Sequence, residues 1–542
     1  MHGFWKRTVA ALVPVMAISW CGAAAFAQVP NVTPVPSAIG PIPVTSDSYP
    51  FMAANRIQAE EIRALSKVGY IEEEFIVSGT ANVYDWPAAG QLTVRTYGLP
   101  YTTRILLRRP ADRARFSGAV ILETLNFSRS YDWAYMWAIA HPGMIEHGDA
   151  FVGITNMPQQ IDALKKFNPQ RYASLSMANP PTRVCGASNA ITLADLQEEG
   201  LRWDIISQVG ALLKSTNGLR PLAGFDVQRI YLTSHSGEIL TYINAIHSRA
   251  KLANGKPVYD GYLIKTMQLP ARINRCVAAP PEFDPRVAIK NVGVPIIYAI
   301  AQGDVGITLN QRRPDTDEPS DRLRWYEVAG VPHMDKYMYD HMPFAEDQVK
   351  AGQNPSYSVW PLPYSCTPPI TLLDFPAMRY VLNAAFNNLD RWVKDGTPPP
   401  RAERIALTNI PVTPEAAARA GDSYLGTAKL DADQVGNAKG GVRSPYLDVP
   451  NATYIPHSPG PASCPGFGFK VPFDWGRMQT LYGTYQNYAT KFSESVDKLV
   501  SERWFNESDG RRMKQDVAPR ALPTPVAQQN WTGSHIVSRF RD

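Results

Sequence analysis

The 542-residue sequence lacks the motifs of several large classes of protein. It has five cysteines and nine histidines, with no Cys-x-x-Cys pair and no His-Glu-x-x-His helix, so neither kind of zinc site is indicated. The formal net charge is only +5 and no basic block occurs, which argues against a nucleic-acid partner. Glycine-rich pieces such as 436–441 follow no strand pattern and open no helix, so they do not resemble phosphate-binding loops. We expect no metal and no organic cofactor.

Long hydrophobic runs are missing as well, apart from one near the N-terminus. Lys6 and Arg7 precede an apolar stretch at 9–20, and small residues ending at Ala27 resemble a cleavage site. The stretch is too short for a membrane span, contains a proline, and is followed by a polar, proline-rich segment. We therefore expect a signal peptide at 1–27, cleavage after Ala27, and a secreted or periplasmic protein with no membrane anchor.

Cysteine usage agrees with export. One cysteine, Cys21, would leave with the signal peptide, and Cys185, Cys276, Cys366 and Cys464 would remain. An even number of cysteines in an oxidising compartment allows up to two disulfides. Their connectivity does not follow from the sequence.

The composition along the chain suggests a main domain with extensions. Residues 28–69 begin as a Pro-, Val- and Ser-rich extended lead, and strand and helix patterns then fill 70–403. Two stretches without periodicity, near 157–190 and 336–372, are expected to be insertions at the surface. Residues 404–542 have few strand signals and one strong helix pattern, which favours a C-terminal extension packed on the main domain.

Within the main domain, the patterns predict an α/β fold. Alternating segments open an antiparallel start to a sheet, and short continuous apolar runs then alternate with helix patterns of 3.6-residue period. This order favours a mostly parallel, doubly wound sheet. The predicted strands are 70–77, 92–97, 101–108, 119–125, 150–155, 228–232, 294–301 and 323–328. The predicted helices are 131–146, 195–214, from the elbow to about 250, 377–393 and 476–505.

The segment 227–238, Val-Gln-Arg-Ile-Tyr-Leu-Thr-Ser-His-Ser-Gly-Glu, carries the strongest functional signal. A strand pattern stops at two small polar residues and Ser236 stands at the break, directly before a helix pattern. This is the form of a nucleophile elbow, which lifts a serine hydroxyl out of the sheet. The usual pattern is Gly-x-Ser-x-Gly, whereas Ser234 and Glu238 flank the serine here. A serine-rich turn that caps a helix is the alternative interpretation.

A serine nucleophile needs a base and an acid, and two strand ends supply candidates in the expected order. Strand 294–301 is followed by Asp304, and strand 323–328 is followed by His333. In α/β hydrolases the acid and the histidine follow the serine along the chain in this order. An ordinary turn aspartate and a surface-loop histidine are the alternatives. Competing acids are Asp315, Asp317 and Glu123.

Four further residues belong to the candidate site. The N–H of Gly237, next to the serine, and the loop containing Asn126 are the expected oxyanion hole; a simple turn asparagine is the alternative. Glu123 lies on a strongly apolar strand and Glu238 lies two residues after the serine. Each is a possible second acid or site carboxylate, or else a buried structural group.

With these residues in place, the chain resembles the large secreted bacterial alpha/beta hydrolase domain-containing proteins, over most of 70–530. The resemblance implies an α/β-hydrolase fold and ester hydrolysis. It departs at Glu238, where a glycine is expected, and at Gln302-Gly303-Asp304, where a Glu-Thr-Asp-like turn is expected. Tannase-like relatives place cysteines beside the catalytic serine and histidine, whereas this chain has His235 and Met334 there. The segments that carry the resemblance are Glu123–Asn126, Ser234–Ser236, Glu327–Asp335, Leu389–Val393, Gly396–Pro399, Gly440–Pro445 and Asp448–Pro450.

The sequence thus predicts an exported serine hydrolase that cleaves a small-molecule carboxylic ester through Ser236, His333 and Asp304. An amidase, peptidase or acyltransferase could use the same triad. A catalytically inactive binding protein with a hydrolase fold and a metal-dependent hydrolase are further alternatives. The substrate and the oligomeric state stay open.

Overall fold

The computed structural model describes residues 32–518 apart from internal gaps. The proposed signal peptide at 1–27 and the proposed nucleophile Ser236 lie outside the described residues. The internal gaps are residues 90, 179–184, 186–195, 217, 236, 267–269, 282–283, 372, 409–428 and 462.

A mostly parallel sheet forms the centre of the described chain. Its ten strands follow the order β1-β2-β3-β5-β4-β6-β7-β8-β10-β9. The pairs from β5 to β10 are parallel, whereas β1, β2, β3 and β9 join by antiparallel pairing. The predicted mostly parallel α/β sheet with an antiparallel start is confirmed. The strands are β1 Ser37–Ile39, β2 Tyr70–Asp85, β3 Thr93–Pro110, β4 Ala119–Thr124, β5 Ala150–Ile154, β6 Arg229–Ser234, β7 Gly261–Lys265, β8 Ile296–Ala301, β9 Thr316–Glu318 and β10 Asp321–Val328.

The central strands are buried along their whole length. Every residue of β4, β5, β6, β7 and β8 is buried. A strand covered on both faces needs a continuous apolar run instead of alternation, which is why 119–125 and 294–301 were recognisable in the sequence. Two small antiparallel sheets lie in the C-terminal part, β11 Leu407–Thr408 with β12 Lys429–Leu430 and β13 Ala452–Ile455 with β14 Phe469–Pro472.

Helices connect and cover the strands. Helix α4 continues into a π-helical turn at Tyr242–Ile246, directly after the elbow. The helices of the described residues are α1 Tyr135–His147, α2 Pro158–Phe167, α3 Arg202–Lys214, α4 Glu238–Thr241, α5 Lys336–Asp340, α6 Ala345–Lys350, α7 Ala377–Asp395, α8 Pro445–Asp448, α9 Trp475–Tyr482, α10 Tyr485–Ser501 and α11 Glu507–Asp516.

Several boundaries differ from the sequence prediction for local reasons. Helix α2 lies inside the predicted loop 157–190, where Pro158 occupies the first helical turn and the side chain of Gln160 accepts the N–H of Met157 (2.9 Å). The single predicted helix 476–505 is two helices, because Gly483 has φ +72° and Thr484 then caps α10. Strand β7 was not predicted.

The described part of the C-terminal region packs on the sheet. Val442 forms a bridge with Val328 at the end of β10, and Phe467 forms one with Met334. Two disulfides, Cys185–Cys276 and Cys366–Cys464, pair the four remaining cysteines. None of the helices in the described ranges has the length and apolar character that a bilayer crossing requires.

Candidate active site

Four neighbouring parallel strands, β6, β7, β8 and β10, end at the same edge of the sheet. Polar residues follow each end: His235 after β6, Thr266 after β7, Asp304 after β8 and His333 after β10. The carboxyl edge of a parallel sheet is where ligand sites of α/β proteins form. Groups that are 29 to 98 residues apart in the chain therefore meet here.

Asp304 and His333 are hydrogen-bonded. Nδ1 of His333 lies 2.7 Å from Oδ1 of Asp304. A carboxylate can only accept, so Nδ1 carries the hydrogen and the lone pair of the neutral ring is on Nε2. The aspartate is fully buried, whereas 19% of the His333 side chain is exposed. This is the orientation that a general base needs.

The second oxygen of Asp304 is also bonded. Thr266 Oγ1 donates to Oδ2 at 2.7 Å. Burial acts to raise the pKa of Asp304, but the His333 imidazole, the ammonium of Lys265 and the Thr266 hydrogen bond outweigh it. The net result is a pKa below the ordinary value of an aspartate. Asp304 is therefore ionised at neutral pH and can stabilise an imidazolium at His333.

The two described neighbours of Ser236 show where the elbow lies. The ring of His235 is buried, stacks on Tyr135 with centroids 4.0 Å apart, and lies 5.0 Å from the ring of His333. Gly237 is buried and precedes the first turn of α4. His235, the residue before Ser236, thus lies beside His333.

Asn126 joins the loop after β4 to the elbow. Its Nδ2 donates to the carbonyl of His235 (3.0 Å), and its Oδ1 accepts from the backbone and hydroxyl of Ser128 (2.9 and 2.6 Å). Its own N–H donates to the carbonyl of Trp133 (2.9 Å). The backbone N–H is already used, so Asn126 contributes its side chain and the position of its loop.

Glu238, which replaces the expected glycine, is bound by side chains of two other elements. Asn156 Nδ2 donates to its Oε1 (2.6 Å), and Arg202 Nη1 lies 3.5 Å from the same oxygen. Burial raises the pKa of this carboxyl, and Arg202 opposes the rise. A carboxylate fits the crowded elbow because the end of β5 and helix α3 provide these partners.

Glu123 binds the start of helix α1. Its two oxygens accept the N–H groups of Met136 (2.9 Å) and Trp137 (3.1 Å), which have no partner within the helix. The side chain is fully buried, and burial raises its pKa to about 8 despite these hydrogen bonds. The carboxyl therefore holds α1 against β4.

The other competing acids are paired with arginines. Asp315 Oδ1 lies 2.6 Å from Arg404 and also accepts the N–H of Trp325. Asp317 bridges Arg324 and Arg401. These ion pairs join the chain around β9 and β10 to residues 401–404.

Sequence reasoning missed one charged group of the site, Lys265. Its Nζ is buried and lies 3.3 Å from His235 Nδ1 and 3.3 Å from the carbonyl of His333. Burial lowers the pKa of Lys265, and Asp304 and Asp335 oppose that effect. The apolar run Tyr262–Ile264 before it was the available signal, since it marks a short buried strand whose end joins the same edge.

The C-terminal region also reaches the site. The N–H of Met334, next to the histidine, donates to the carbonyl of Gly466 (2.8 Å). A side chain at Gly466 would lie 3.9 Å from the His333 ring. The disulfide between Cys366 and Cys464 fixes this segment to the 336–372 insertion. The C-terminal region and the 336–372 insertion therefore lie near His333, which the sequence did not predict.

Comparison with models of protein families identifies the family to which this chain belongs. A family model described as an alpha/beta hydrolase domain matches residues 38–515, so the chain belongs to the alpha/beta hydrolase family. Comparison with curated proteins finds no match.

Solved structures give only distant similarity. The chain is 12% identical to a glucuronoyl esterase from Solibacter usitatus, covering 50% of this chain and 79% of that one with a TM-score of 0.27. It is 10% identical to a fungal esterase from Rhizomucor miehei, covering 57% and 89% with a TM-score of 0.28. The family assignment rests on the match to the family model.

Proposed function

We propose that the protein is an exported serine hydrolase that cleaves a carboxylic ester with Ser236, His333 and Asp304. The observation that carries this proposal is the 2.7 Å hydrogen bond from His333 Nδ1 to a buried Asp304, beside the elbow that contains Ser236. It leaves Nε2 of His333 as the acceptor for a hydroxyl proton.

The acylation step uses these groups in sequence. Ser236 Oγ attacks the acyl carbon while its proton passes to His333 Nε2, and Asp304 stabilises the resulting imidazolium. The carbonyl oxygen becomes an oxyanion, for which the N–H of Gly237 and the loop at Asn126 are the proposed donors. When the carbon–oxygen bond to the alcohol breaks, His333 gives its proton to the leaving alkoxide.

Deacylation repeats the same proton path with water. His333 Nε2 takes a proton from water as the hydroxyl attacks the acyl-enzyme, and the second tetrahedral intermediate collapses. The bond to Ser236 Oγ breaks, the serine regains a proton from His333, and the carboxylic acid leaves. The His333 imidazole, the Lys265 ammonium and the Thr266 hydrogen bond together lower the pKa of Asp304 and so favour its ionised form.

Export is the second part of the proposal. Two disulfides pair the four cysteines that remain after residue 27, which agrees with an oxidising compartment. N-terminal sequencing of the protein from periplasm or medium tests cleavage after Ala27. Recovery of only the uncleaved chain in the cytoplasm would contradict it.

Matched ester and amide substrates test the reaction. We expect turnover of short-chain p-nitrophenyl esters, much slower turnover of the corresponding anilides, and a loss of about 10⁶ in turnover for His333→Ala. His147→Ala is the matched control, because His147 also bonds an aspartate, Asp149 (2.6 Å), at the opposite edge of the sheet. Equal or faster anilide cleavage would favour an amidase or peptidase.

A further inference from the structure

Three potential metal ligands meet outside the catalytic site. They are His141 of α1, His341 after α5, and Glu61 of the N-terminal region, and one ligand atom of each lies within 4.8 Å of the others. The histidines are 200 residues apart in the sequence, so no short metal-ligand motif predicts the cluster. Both are buried, whereas the Glu61 side chain is 48% exposed.

Both imidazoles are held in the tautomer that leaves Nε2 available as a ligand atom. Nδ1 of His141 lies 3.0 Å from the carbonyl of Trp137, and Nδ1 of His341 lies 2.7 Å from the carbonyl of Tyr337. A carbonyl can only accept, so each Nδ1 carries the hydrogen and each Nε2 keeps a lone pair. Hydrogen bonding of the remote nitrogen to a carbonyl is the usual support of a metal-bound histidine.

The cluster contains a buried acceptor that has no donor among the described residues. Nε2 of His341 is buried and has no hydrogen-bond partner among the described residues. A Glu61 oxygen, which is also an acceptor when ionised, lies 3.7 Å from this nitrogen. The Nε2 of His341 and the Glu61 carboxylate therefore lie close together with no hydrogen bond between them.

The backbone around the cluster is held in place. Gln58 donates its N–H to the carbonyl of Met342 (2.9 Å), and Phe344 donates to the carbonyl of Arg56 (3.0 Å). Glu61 is thereby anchored beside the segment that carries His341. The neighbouring cations are already paired, Arg108 with Glu72 (2.8 Å) and Arg379 with Asp374 (2.6 Å), which reduces their repulsion of a bound cation.

We propose that His141 Nε2, His341 Nε2 and a carboxylate oxygen of Glu61 bind one divalent first-row transition-metal ion of the Zn²⁺ type, with water as a further ligand. Zn²⁺ binds such nitrogen and oxygen atoms at about 2.0–2.2 Å, which places tetrahedral ligand atoms about 3.4 Å apart. The exposed Glu61 side chain can rotate to close the remaining gap. The ion joins the N-terminal region to α1 and α5 and has a structural role.

Zinc titration of the full-length mature protein, made without a polyhistidine tag and freed of metal by a chelator, tests the site. We expect calorimetry to show one equivalent of Zn²⁺ bound with micromolar or tighter affinity, and a higher melting temperature with the ion. Cobalt binding at the same site gives visible absorption bands. No stoichiometric binding would overturn the proposal and leave a bridging water as the occupant.

Matched variants assign the ligands. We expect Glu61→Gln to weaken Zn²⁺ binding at least tenfold and Glu60→Gln, the exposed neighbour, to leave it unchanged. His341→Gln should abolish binding, whereas His147→Gln should not. If His341→Gln does not fold, the comparison of Glu61→Gln with Glu60→Gln decides, because both side chains are exposed. Unchanged affinity in Glu61→Gln would overturn the three-ligand site.

Discussion

Asn126 donates its side-chain amide to the carbonyl of His235 at 3.0 Å, across 109 residues of sequence. The loop after β4 is thus tied to the peptide immediately before Ser236. Asn126→Asp keeps the size of the side chain but replaces this donor with an acceptor that repels the carbonyl.

We expect Asn126→Asp to lower kcat about 100-fold, because small displacements of a reacting group have effects of that size. KM should change little, since the contact is not to the substrate. Ser128→Ala is the control, because it removes a partner of Oδ1 and leaves the bond to His235. Equal losses in the two variants would show that loop stability, and not the position of the elbow, explains the effect.

The hydrogen bond between His333 and Asp304 predicts how the replacement of Asp304 changes turnover. Asp304→Asn places an amide opposite Nδ1 of His333, where a carboxylate acceptor is needed. The hydrogen of the ring can then move to Nε2, which removes the base, so kcat should fall about 10⁴-fold. Steady-state kinetics on the preferred ester measures this. Asp149→Asn changes the other His–Asp pair, His147 with Asp149, and should leave kcat within a few-fold of wild type. A similar loss in both variants would contradict the assignment.

Glu238 is expected to be structural. Glu238→Gln keeps the acceptor for Asn156 but removes the charge opposite Arg202, so stability should fall by about 1–3 kcal/mol while turnover stays within tenfold. Denaturant unfolding and steady-state kinetics measure the two effects separately. A loss of turnover comparable to that of His333→Ala would make Glu238 part of the reaction.

The raised pKa of Glu123 predicts a pH dependence of stability. The folded protein holds this proton up to about pH 8, whereas the ordinary pKa of a glutamate is 4.5. Between these values the native state binds more protons than the unfolded state, so this contribution to stability is full below pH 4.5 and is lost as pH rises toward 8.

Glu123→Gln removes that titration. The stability of the variant relative to wild type should therefore increase from pH 5 to pH 8, by up to about 1.4 kcal/mol per pH unit. Thermal or denaturant unfolding across this range measures it, with Glu60→Gln as the control for loss of an exposed glutamate charge. A flat difference for Glu123→Gln would show that its carboxyl is ionised in the folded protein.

The sequence was most informative where burial imposes a simple pattern. Strands β4 and β8 are buried on both faces, so continuous apolar runs marked them. The ends of β8 and β10 then placed Asp304 and His333 at one edge, and the structure puts them 2.7 Å apart. Their catalytic role stays a proposal.

Contacts between segments that are far apart in the sequence could not be predicted from the sequence. Two partners of Glu238, Asn156 and Arg202, belong to other elements, and nothing in the local sequence around Ser236 predicts them. Lys265 was missed because the apolar run that marks β7 is only three residues long, Tyr262–Ile264. The disulfide pairing depends on which loops meet in three dimensions, and four cysteines allow three connectivities.

Active-site labelling tests the central claim most directly. The folded protein is treated with a fluorophosphonate, which reacts only with an activated serine, and the modified peptide is mapped by mass spectrometry. We expect a single adduct on Ser236 that is lost in His333→Ala and retained in His147→Ala. No adduct on Ser236 in the folded wild-type protein, or an adduct on another serine, would contradict it.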